Sequence, residues 1–557
     1  MPGFQTPPLP SGLPGLSATE ASASYEGCLV SPARRTSDLL WRTSPVLVAL
    51  VALIPILSAT LGGLWLSYDS TQYLSATKNL LAGRGLSVFI APDSLRPLTH
   101  FPPLYPATIA VFGAIFGNAR RGAWLLNLVA TSVNIVLAAR LAARVAGEKT
   151  KAGAHAAFVA AIAMAVANDL ALDGSMLWSE PMFITLLLTS LVLLVGALQA
   201  ESLGDSRSRR LLALAALAAA ASTLTRYAGA ALVGSCVISV LLISRLSLQA
   251  RLHRALAFGV ISSAPLVAWF VRNRLQAGSA SGRQLAIHVI SGSDLLEGVH
   301  TLTRWFIPYA PSWFSRTIPV ALILGMIVYM IRWNGLPTAT AVLATFVVTY
   351  GAFLLVSISV ADRATPLDAR ILSPALPVVI AIASGAAFSF FHYSSHGERD
   401  ESPGRRSRTL RVASGAAFLL YCCSHLAGLV AWTRTARAQG LGLAPLGHAA
   451  DELVAAASQI PPGARVYSNV PGALYALTNR VVNDLPWRVS PTSLTANPRF
   501  DLELRQIAAI ARDTPTYVVL FDAGSSFQAT AKDVVSSLHI ASEKVFRGGE
   551  IALVSGR

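Results

Sequence analysis

The sequence predicts a polytopic α-helical membrane protein with about eleven transmembrane helices, a large first outer loop and a small C-terminal α/β domain outside the membrane. Of its 557 residues, 53% are hydrophobic and 13% are charged, and the mean hydropathy is +0.55. Soluble globular proteins are much less apolar. Apolar runs recur from about residue 44 to 432, and arginines lie between alternate runs, as the positive-inside rule requires.

The charge and the cysteines exclude several function classes. The net charge is +16, but the basic residues are spread between apolar runs, where membrane orientation explains them better than nucleic-acid binding does. The four cysteines (Cys28, Cys236, Cys422 and Cys423) have no metal-ligand spacing. We therefore expect no nucleic-acid partner, disulfide framework or zinc site. No repeat of 20 to 50 residues indicates a solenoid.

The N-terminal segment is rich in Pro, Gly and Ser and ends in Arg34 and Arg35. Such a composition cannot bury enough apolar surface to order itself, so residues 1–40 are predicted to be a disordered cytoplasmic tail. The apolar run at about 44–66 is long enough for a first transmembrane helix. It lies too far from the start to be an ordinary cleaved signal peptide.

The membrane domain is predicted to cover residues 41–435. The apolar stretch 104–117 is too short for a span, and we assign it to the outer interface or to a re-entrant position. A span at 123–143 places the following basic loop, with Lys149 and Lys151, in the cytoplasm. Further spans are predicted near 155–172, 182–200, 211–225, 227–244, 255–271, 317–333, 337–360, 369–391 and 411–432. The pair 211–225 and 227–244 leaves little room for a loop.

Residues 440–557 differ from the rest of the chain. "DELVAAASQI" reads as a helix, "ARVYSN" and "TYVVLFDA" as strands, and "SSFQATAKDVVSSLH" as a helix before a terminal strand pair. An odd number of spans after a cytoplasmic N-terminus places this domain in the periplasm or its equivalent. "FDAGSSF" lacks the glycine-rich pattern of a nucleotide phosphate loop. The domain is therefore expected to dock the acceptor or to act as a lid on the active site, and not to carry a second catalytic activity.

The first outer loop contains a carboxylate where the first span leaves the bilayer. If residues 68–82 are helical, Asp69 and Tyr73 stand at i and i+4 on one face, and His100 follows in the same loop. Asp69 can therefore address a site at the membrane surface. The alternative is that Asp69 only caps this helix.

The second outer loop, "ANDLALDGSMLWSEPMF", carries Asp173 and Glu180 to the same side of the membrane. A carboxylate at the membrane boundary costs free energy unless it faces a cavity or a partner. Glu180 and Pro181 also suit a simple helix start. Two acidic outer loops facing one lumen would form an acid/base or metal-assisted site.

Basic residues on the outer side suit a lipid phosphate. The loop at about 272–316 contains Arg272 and Arg283 among several arginines and tryptophans, and Arg370 lies at the entry of another span. Arginine forks bind phosphate in a bidentate manner. The alternative is that these side chains only anchor the protein to lipid headgroups. Arg226 in "TLTRYAG" is an intramembrane arginine and so a functional candidate.

The order of these motifs resembles a known family. An acid after the first span, then "PLTHFPPLYP", an outer-loop acid in "SEPMF", "TLTRYAG", "WFVRNRLQAGSASGR" and "DARILSPALP" are similar to bacterial GT-C glycosyltransferases of the protein-mannosyltransferase and lipid A aminoarabinose-transferase type. The resemblance covers residues 44–395. It implies an enzyme of the bacterial inner membrane that moves a sugar from a polyprenyl phosphate to a cell-envelope glycan, lipid or protein on the outer face.

The resemblance also implies roles for individual residues. Asp69 matches the first-loop catalytic acid, acting as general base, and Glu180 matches the second-loop acid. The donor phosphate is expected at Arg272, Arg283 and Arg370, and the acceptor or sugar at Tyr73, His100 and Asp173. The first loop lacks the Asp-Glu pair of protein mannosyltransferases, which argues against a protein acceptor. No cofactor is required by the pattern, and a divalent metal, Mg²⁺ or Mn²⁺, stays open.

Two other function classes compete with this interpretation. A secondary transporter or lipid flippase also has many spans and polar residues at membrane depth. Against it, the carboxylates and arginines lie in outer loops, and no internal duplication is visible. A non-catalytic scaffold with an external binding domain is the third hypothesis. Loss of activity in a folded Asp69→Asn variant discriminates the transferase from both.

Overall fold

The computed structural model describes residues 32–91, 94–202, 205–283, 287, 289–308, 336–360, 365–396, 405–490, 495–522 and 527–555. The part before residue 440 is helical except for one hairpin, β1 (Ser87–Ala91) and β2 (Ser94–Pro97). Its helices are α1 (Pro32–Ala59), α2 (Tyr68–Leu81), α3 (Leu104–Phe116), α4 (Ala119–Ala146), α5 (Lys151–Val166), α6 (Asn168–Ser175), α7 (Glu180–Gln199), α8 (Asp205–Thr225), α9 (Gly229–Ile243), α10 (Leu248–Ala277), α11 (Gly292–Arg304), α12 (Thr338–Val360), α13 (Ala369–Leu372), α14 (Leu376–His396) and α15 (Arg405–Gln439).

The number of spans differs from the prediction of about eleven. Within the described residues, six helices are long and apolar enough to cross a membrane: α4, α7, α10, α12, α15 and the segment Ala369–Phe390. The pair α5 and α6 is a seventh candidate, and it bends by 60° at their junction. These positions coincide with seven of the predicted spans. The chain is therefore an integral membrane protein.

The described helices at the other predicted spans do not meet the same length and hydropathy requirement, so those spans stay predictions. The apolar part of α1 stops at Ala59, and α9 has only 15 residues, both short of the roughly 20 that a bilayer requires. α8 begins in the arginine-rich sequence "DSRSRR", which lowers its mean hydropathy. The predicted span 317–333 lies outside the described residues.

Small residues let the membrane helices approach closely. Ala138 and Ala142 of α4, and Ala156 and Ala160 of α5, are completely buried at their contact. Between membrane helices there is little hydrophobic driving force, so close packing and small side chains determine which faces associate. Alanines four positions apart in both helices thus allow the close contact between α4 and α5.

The residues after 440 form a five-stranded sheet with helices on both faces. Its elements are α16 (Ala444–Ala449), α17 (Asp451–Ser458), β3 (Arg465–Ser468), α18 (Pro471–Thr478), β4 (Asn483–Asp484), α19 (Phe500–Ile510), β5 (Thr516–Phe521), α20 (Ala531–Ser537), β6 (Ile540–Phe546) and β7 (Gly549–Val554). The strand order is β4-β3-β5-β7-β6. β4, β3 and β5 are parallel, and β7 runs antiparallel to both of its neighbours.

The central strand β5 explains why this sheet needs helices on both faces. Its sequence "TYVVLF" is almost continuously apolar, as expected for a strand covered on two sides. Successive side chains point to opposite faces, so Val519 and Phe521 join one hydrophobic cluster while Val518 and Leu520 join the other.

The sheet domain packs on α2 and on the segment between α1 and α2. The Leu443 N–H donates to the carbonyl of Leu66 at 2.8 Å. Lys78 of α2 donates to the Asn479 side chain at 2.7 Å, and its ammonium lies 5.0 Å from the centre of the Tyr475 ring. The domain therefore contacts α2, the helix that carries Asp69.

Candidate active site

Helix α2 presents Asp69 from its first turn. Ser67, not Asp69, is the N-cap: its side chain accepts from the Ser70 N–H, and the Ser70 hydroxyl accepts from the Ser67 N–H in a reciprocal capping box. The alternative that Asp69 caps this helix is therefore wrong. A hydroxyl at the cap satisfies the free N–H groups, which leaves the carboxylate in the first turn available for other contacts.

A short backbone pairing brings the two acidic loops together. Trp65 N–H donates to the Ser175 carbonyl at 3.0 Å, and Leu177 N–H donates to the Trp65 carbonyl at 2.9 Å. The Ser70 hydroxyl adds a bond to the Leu177 carbonyl at 2.9 Å. These contacts place the start of α2 beside the start of α7, where Glu180 lies.

Two acids and two arginines form one connected charge network, which consists of Asp69, Glu180, Arg226 and Arg370. Arg370 bridges the two acids, with Nη2 2.5 Å from Asp69 Oδ2 and Nε 2.5 Å from Glu180 Oε1. Arg226 Nη1 lies 2.6 Å from the same Glu180 oxygen. Each carboxylate is therefore paired, and the four formal charges of the network cancel.

The surroundings of the network hold it in one geometry. The Arg370 guanidinium lies 4.2 Å from the centre of the Trp178 ring, a cation–π contact. Trp178 is fixed in turn by its indole N–H, which donates to the Ser67 hydroxyl at 2.8 Å. The Ser179 hydroxyl lies 3.1 Å from both Arg226 Nη1 and the Tyr73 hydroxyl. Trp178 and Ser179 thus orient the two arginines.

The two acids differ in accessibility. The Glu180 side chain is completely buried, whereas 29% of the Asp69 side chain is exposed. Asp69 Oδ1 has no hydrogen-bond partner in the described part of the chain. Burial by itself raises the pKa of Asp69, but the charges of Arg370 and Arg226 outweigh it and hold that pKa below its ordinary value. Asp69 is therefore the ionised acid that a substrate can reach.

A pocket of about 110 Å³ opens beside this network. Its polar lining includes Tyr73, His100, Arg226, Arg283 and Tyr350. Two arginines and a histidine in one pocket suit an anionic group, and the aromatic rings suit a sugar or a prenyl chain. We call it the basic pocket. The lining residues that were already candidates from the sequence come from three separate stretches of the chain.

The structure does not bring Arg272 to this site. Its guanidinium donates to the carbonyls of Leu98 at 2.9 Å and Leu86 at 3.1 Å, which flank the β hairpin. It also lies 4.6 Å from the centre of the Trp269 ring. These contacts hold the first loop, and Arg272 is not in the described lining of the basic pocket. Its binding of the donor phosphate stays a prediction.

Asp173 also lies away from the basic pocket. Its side chain is 2% exposed, and neither carboxylate oxygen has a hydrogen-bond partner in the described residues. It lines a cavity of about 20 Å³ together with Thr131 and Asn134, which is space for one water. The expectation that Asp173 contacts sugar or acceptor has no support from this placement. Tyr73 is 1% exposed, so it contributes little more than its edge to the pocket.

The described residues do not fit a divalent metal between the two acids. Arg370 occupies the space between Asp69 and Glu180 and bonds to both. In the portion of the chain that the structure describes, no three His, Cys, Asp or Glu side chains converge. The cation that these carboxylates hold is a guanidinium.

Tyr350 of the basic pocket was not singled out from the sequence, and neither were Trp178 and Ser179 beside the charge network. Both belong to the "WSEP" stretch directly before the predicted Glu180–Pro181 helix start. Ser179 is completely buried, and Trp178 is 9% exposed. An interfacial tryptophan next to an acid is common in membrane proteins, so nothing local distinguished this one.

Comparisons with known proteins agree on the fold. Residues 100–269 match the family described as dolichyl-phosphate-mannose-protein mannosyltransferase. This segment includes His100, Glu180 and Arg226, whereas Asp69 and Arg370 lie outside it. No curated protein sequence matches the chain.

Three solved structures share the architecture. ArnT from Cupriavidus metallidurans, solved with bound undecaprenyl phosphate, has 13% identity and a TM-score of 0.59, over 91% of this chain and 97% of that one. The oligosaccharyltransferase AglB from Archaeoglobus fulgidus, in complex with an inhibitory peptide and a dolichol-phosphate, has 12% identity and a TM-score of 0.52, over 87% and 70%. A variant of the arabinofuranosyltransferase AftD from Mycobacteria has 16% identity and a TM-score of 0.50, over 93% and 42%. All three are GT-C superfamily glycosyltransferases.

Proposed function

From the GT-C fold and the matched segment we infer that this integral membrane protein is a glycosyltransferase, and we propose that it moves a sugar from a polyprenyl-phosphate donor to an acceptor hydroxyl. The observation that carries the proposal is the charge network. It places a reachable, ionised carboxylate within hydrogen-bond distance of an arginine at the edge of a basic pocket. Sugar transfer needs both a proton acceptor and a cation for the leaving phosphate.

The donor phosphate binds in the basic pocket at Arg283 and Arg226, next to Arg370, whose neighbour Ile371 lines the pocket. The bond between the sugar and the phosphate breaks with charge developing on the phosphate oxygen, and fixed arginines stabilise that charge without reorganising. His100, on the pocket wall, contacts the sugar or the phosphate. Glu180 does not reach the substrate, and it acts by holding Arg226 and Arg370 in place.

Asp69 accepts the proton of the acceptor hydroxyl at Oδ1. In the structure Arg370 lowers the basicity of this carboxylate, and a general base works best when its pKa is nearer the working pH. A donor phosphate competes with Asp69 for Arg370. Donor binding therefore weakens the Asp69–Arg370 pair and makes the carboxylate more basic when a substrate is present.

The arginine-rich loops between spans are expected in the cytoplasm, which places Asp69 and the sheet domain on the outer side of a bacterial inner membrane. There the donor lipid and a cell-envelope glycan, lipid or protein meet. The sheet domain contacts α2 through Lys78 and Asn479, so it covers the acceptor side of the site.

The test is sugar transfer or release by the purified full chain in liposomes, offered a panel of polyprenyl-phosphate sugars and several acceptors. We expect wild type to turn over at least one donor and Asp69→Asn to lose about 10²- to 10⁴-fold in rate, the contribution of a general base. Asp513→Asn, at an exposed acid of the sheet domain, is the matched control and keeps the wild-type rate. Equal rates in Asp69→Asn and wild type would remove Asp69 as the base. No turnover of any donor by folded wild type would contradict glycosyl transfer itself.

A further inference from the structure

A cavity lies in a groove between α5, α14 and α15, and its described lining contains no member of the charge network. Its volume is about 1220 Å³. On α5 the lining follows one helical face at every fourth residue: Lys151, His155, Val159 and Ala163. On α15 it follows the face of Arg411, Ser414, Gly415, Phe418 and Tyr421. We call it the lateral groove.

The groove exists because α15 stands away from its neighbours along part of its length. The Tyr421 hydroxyl joins it to the Ala163 carbonyl at 3.2 Å, but a Cβ built on Gly415 meets no atom of the described residues within 4 Å. Only 17% of the apolar window of α15 is buried. By contrast, a Cβ on Gly385 of α14 would lie 2.4 Å from Val145 of α4. The opening is therefore specific to one side of α14.

The groove has a basic end, and that end lies opposite the active site. α5 begins at Lys151 and leads through α6 to Ser175, which pairs with Trp65 beside Asp69. Likewise α15 runs from its Arg411 end to Gln439, and Leu443, which follows soon after, bonds to Leu66. Lys151 and Arg411 are both exposed at the mouth, and none of the described lining residues is acidic.

The length of the apolar lining matches one leaflet. From Lys151 to Ala163 α5 rises about 18 Å at 1.5 Å per residue. Half of a bilayer's hydrocarbon core is about 15 Å thick. An acyl chain that starts at the basic mouth is thus accommodated along the groove without crossing to the other leaflet. The donor lipid does not fit this arrangement, because its phosphate must reach Asp69 at the opposite end.

We propose that the lateral groove is a binding site for an anionic diacyl phospholipid of the cytoplasmic leaflet. Its phosphate lies between Lys151 and Arg411, and its acyl chains cover the apolar faces of α5, α14 and α15. The lipid supplies the packing that α15 lacks on this side. The exclusion of the donor lipid rests on the proposed function, whereas phospholipid binding is measured without sugar transfer.

The test is native mass spectrometry of the full chain titrated with phosphatidylglycerol or with phosphatidylcholine of the same acyl chains. We expect the wild type to prefer phosphatidylglycerol. Removing one cation near a membrane surface weakens anionic-lipid binding about fivefold, so the double variant Lys151→Gln with Arg411→Gln should bind about thirtyfold more weakly. Lys149→Gln, in the same loop but outside the lining, should bind as wild type does.

A filling variant separates the groove from general surface attraction. Gly415→Trp projects an indole into open space, so the fold is retained while both lipids are excluded. Equal affinity for the two lipids, or unchanged binding in the double variant, would overturn the anionic site. Absence of bound lipid, together with a cross-link from Gly415→Cys to residues 317–333, would show that a segment of the chain itself occupies the groove and would also overturn the proposal.

Discussion

Replacing Glu180 by Gln tests whether this acid acts on the substrate or only on the arginines. Glu180 Oε1 accepts from Arg370 Nε at 2.5 Å and from Arg226 Nη1 at 2.6 Å, and its side chain is completely buried. A neutral amide of the same shape leaves two arginines close together with only Asp69 to balance them. We expect a strong loss of stability from this change.

The magnitude follows from the two broken ion pairs. Each pair is worth about 4 kcal/mol at 4 Å with an effective dielectric constant near 20, and the arginines lose part of that to desolvation. Breaking a buried pair by removing one partner usually costs about 3 to 5 kcal/mol. Asp69→Asn breaks a partly exposed pair, so its cost should stay within about 1 kcal/mol.

The assay measures both the free energy of unfolding in mixed micelles and the initial rate of sugar transfer. Glu180→Gln should lose stability and, through misplaced arginines, about 10²-fold in rate, whereas Asp69→Asn should lose rate alone. Adding Arg226→Gln to Glu180→Gln should restore part of the stability, because the double variant leaves one fewer unpaired cation. A Glu180→Gln protein as stable as wild type but inactive would refute this reasoning and place Glu180 among the groups that touch the substrate.

Two further outcomes follow from the geometry. In wild type the pKa of Asp69 is below its ordinary value of about 3.9, so the carboxylate is ionised above that pH and activity falls only at lower pH. Arg370→Gln removes the larger of the two arginine charges that oppose the effect of burial on this pKa, so it should move the acidic limb of kcat/KM to higher pH. An unmoved limb would mean that Arg370 does not control Asp69. Gly442 has a φ of +62°, and a Cβ there would lie 2.1 Å from the Leu66 carbonyl oxygen. Gly442→Ala should therefore destabilise the full chain in thermal unfolding by at least about 1 to 2 kcal/mol, the cost of a left-handed alanine. Gly463→Ala, whose Cβ meets no described atom within 4 Å, is the control and should leave the stability unchanged.

The sequence predicts the long apolar helices well because each has a sufficiently long apolar run of its own. α4, α7, α10 and α12 coincide with predicted spans, since a run of some 20 apolar residues has few alternatives in a membrane protein. α8 and α9 were predicted as spans as well, and neither passes the same test of length and hydropathy. Packing inside a helical bundle lets short or partly charged helices form, and a window of sequence does not reveal which neighbours they have.

The site is predictable in part, for a related reason. Asp69, Glu180 and Arg370 are polar groups at the ends of apolar runs, and they do meet in the structure. Arg272 has the same local pattern, yet it bonds to the carbonyls of Leu86 and Leu98. Which arginine reaches a carboxylate and which reaches a carbonyl depends on contacts between residues about a hundred positions or more apart, and sequence spacing alone does not encode them.

The bond between Lys78 and Asn479 has a consequence for how the protein is made. The two residues are 401 positions apart, and ribosomes add about 5 to 20 residues per second. Helix α2 therefore waits about 20 to 80 s after its own synthesis before its last partner exists. Until then the helix that carries Asp69 lacks one of its supports, and the contact between α2 and the sheet domain forms only after Asn479 has been translated and its domain has folded.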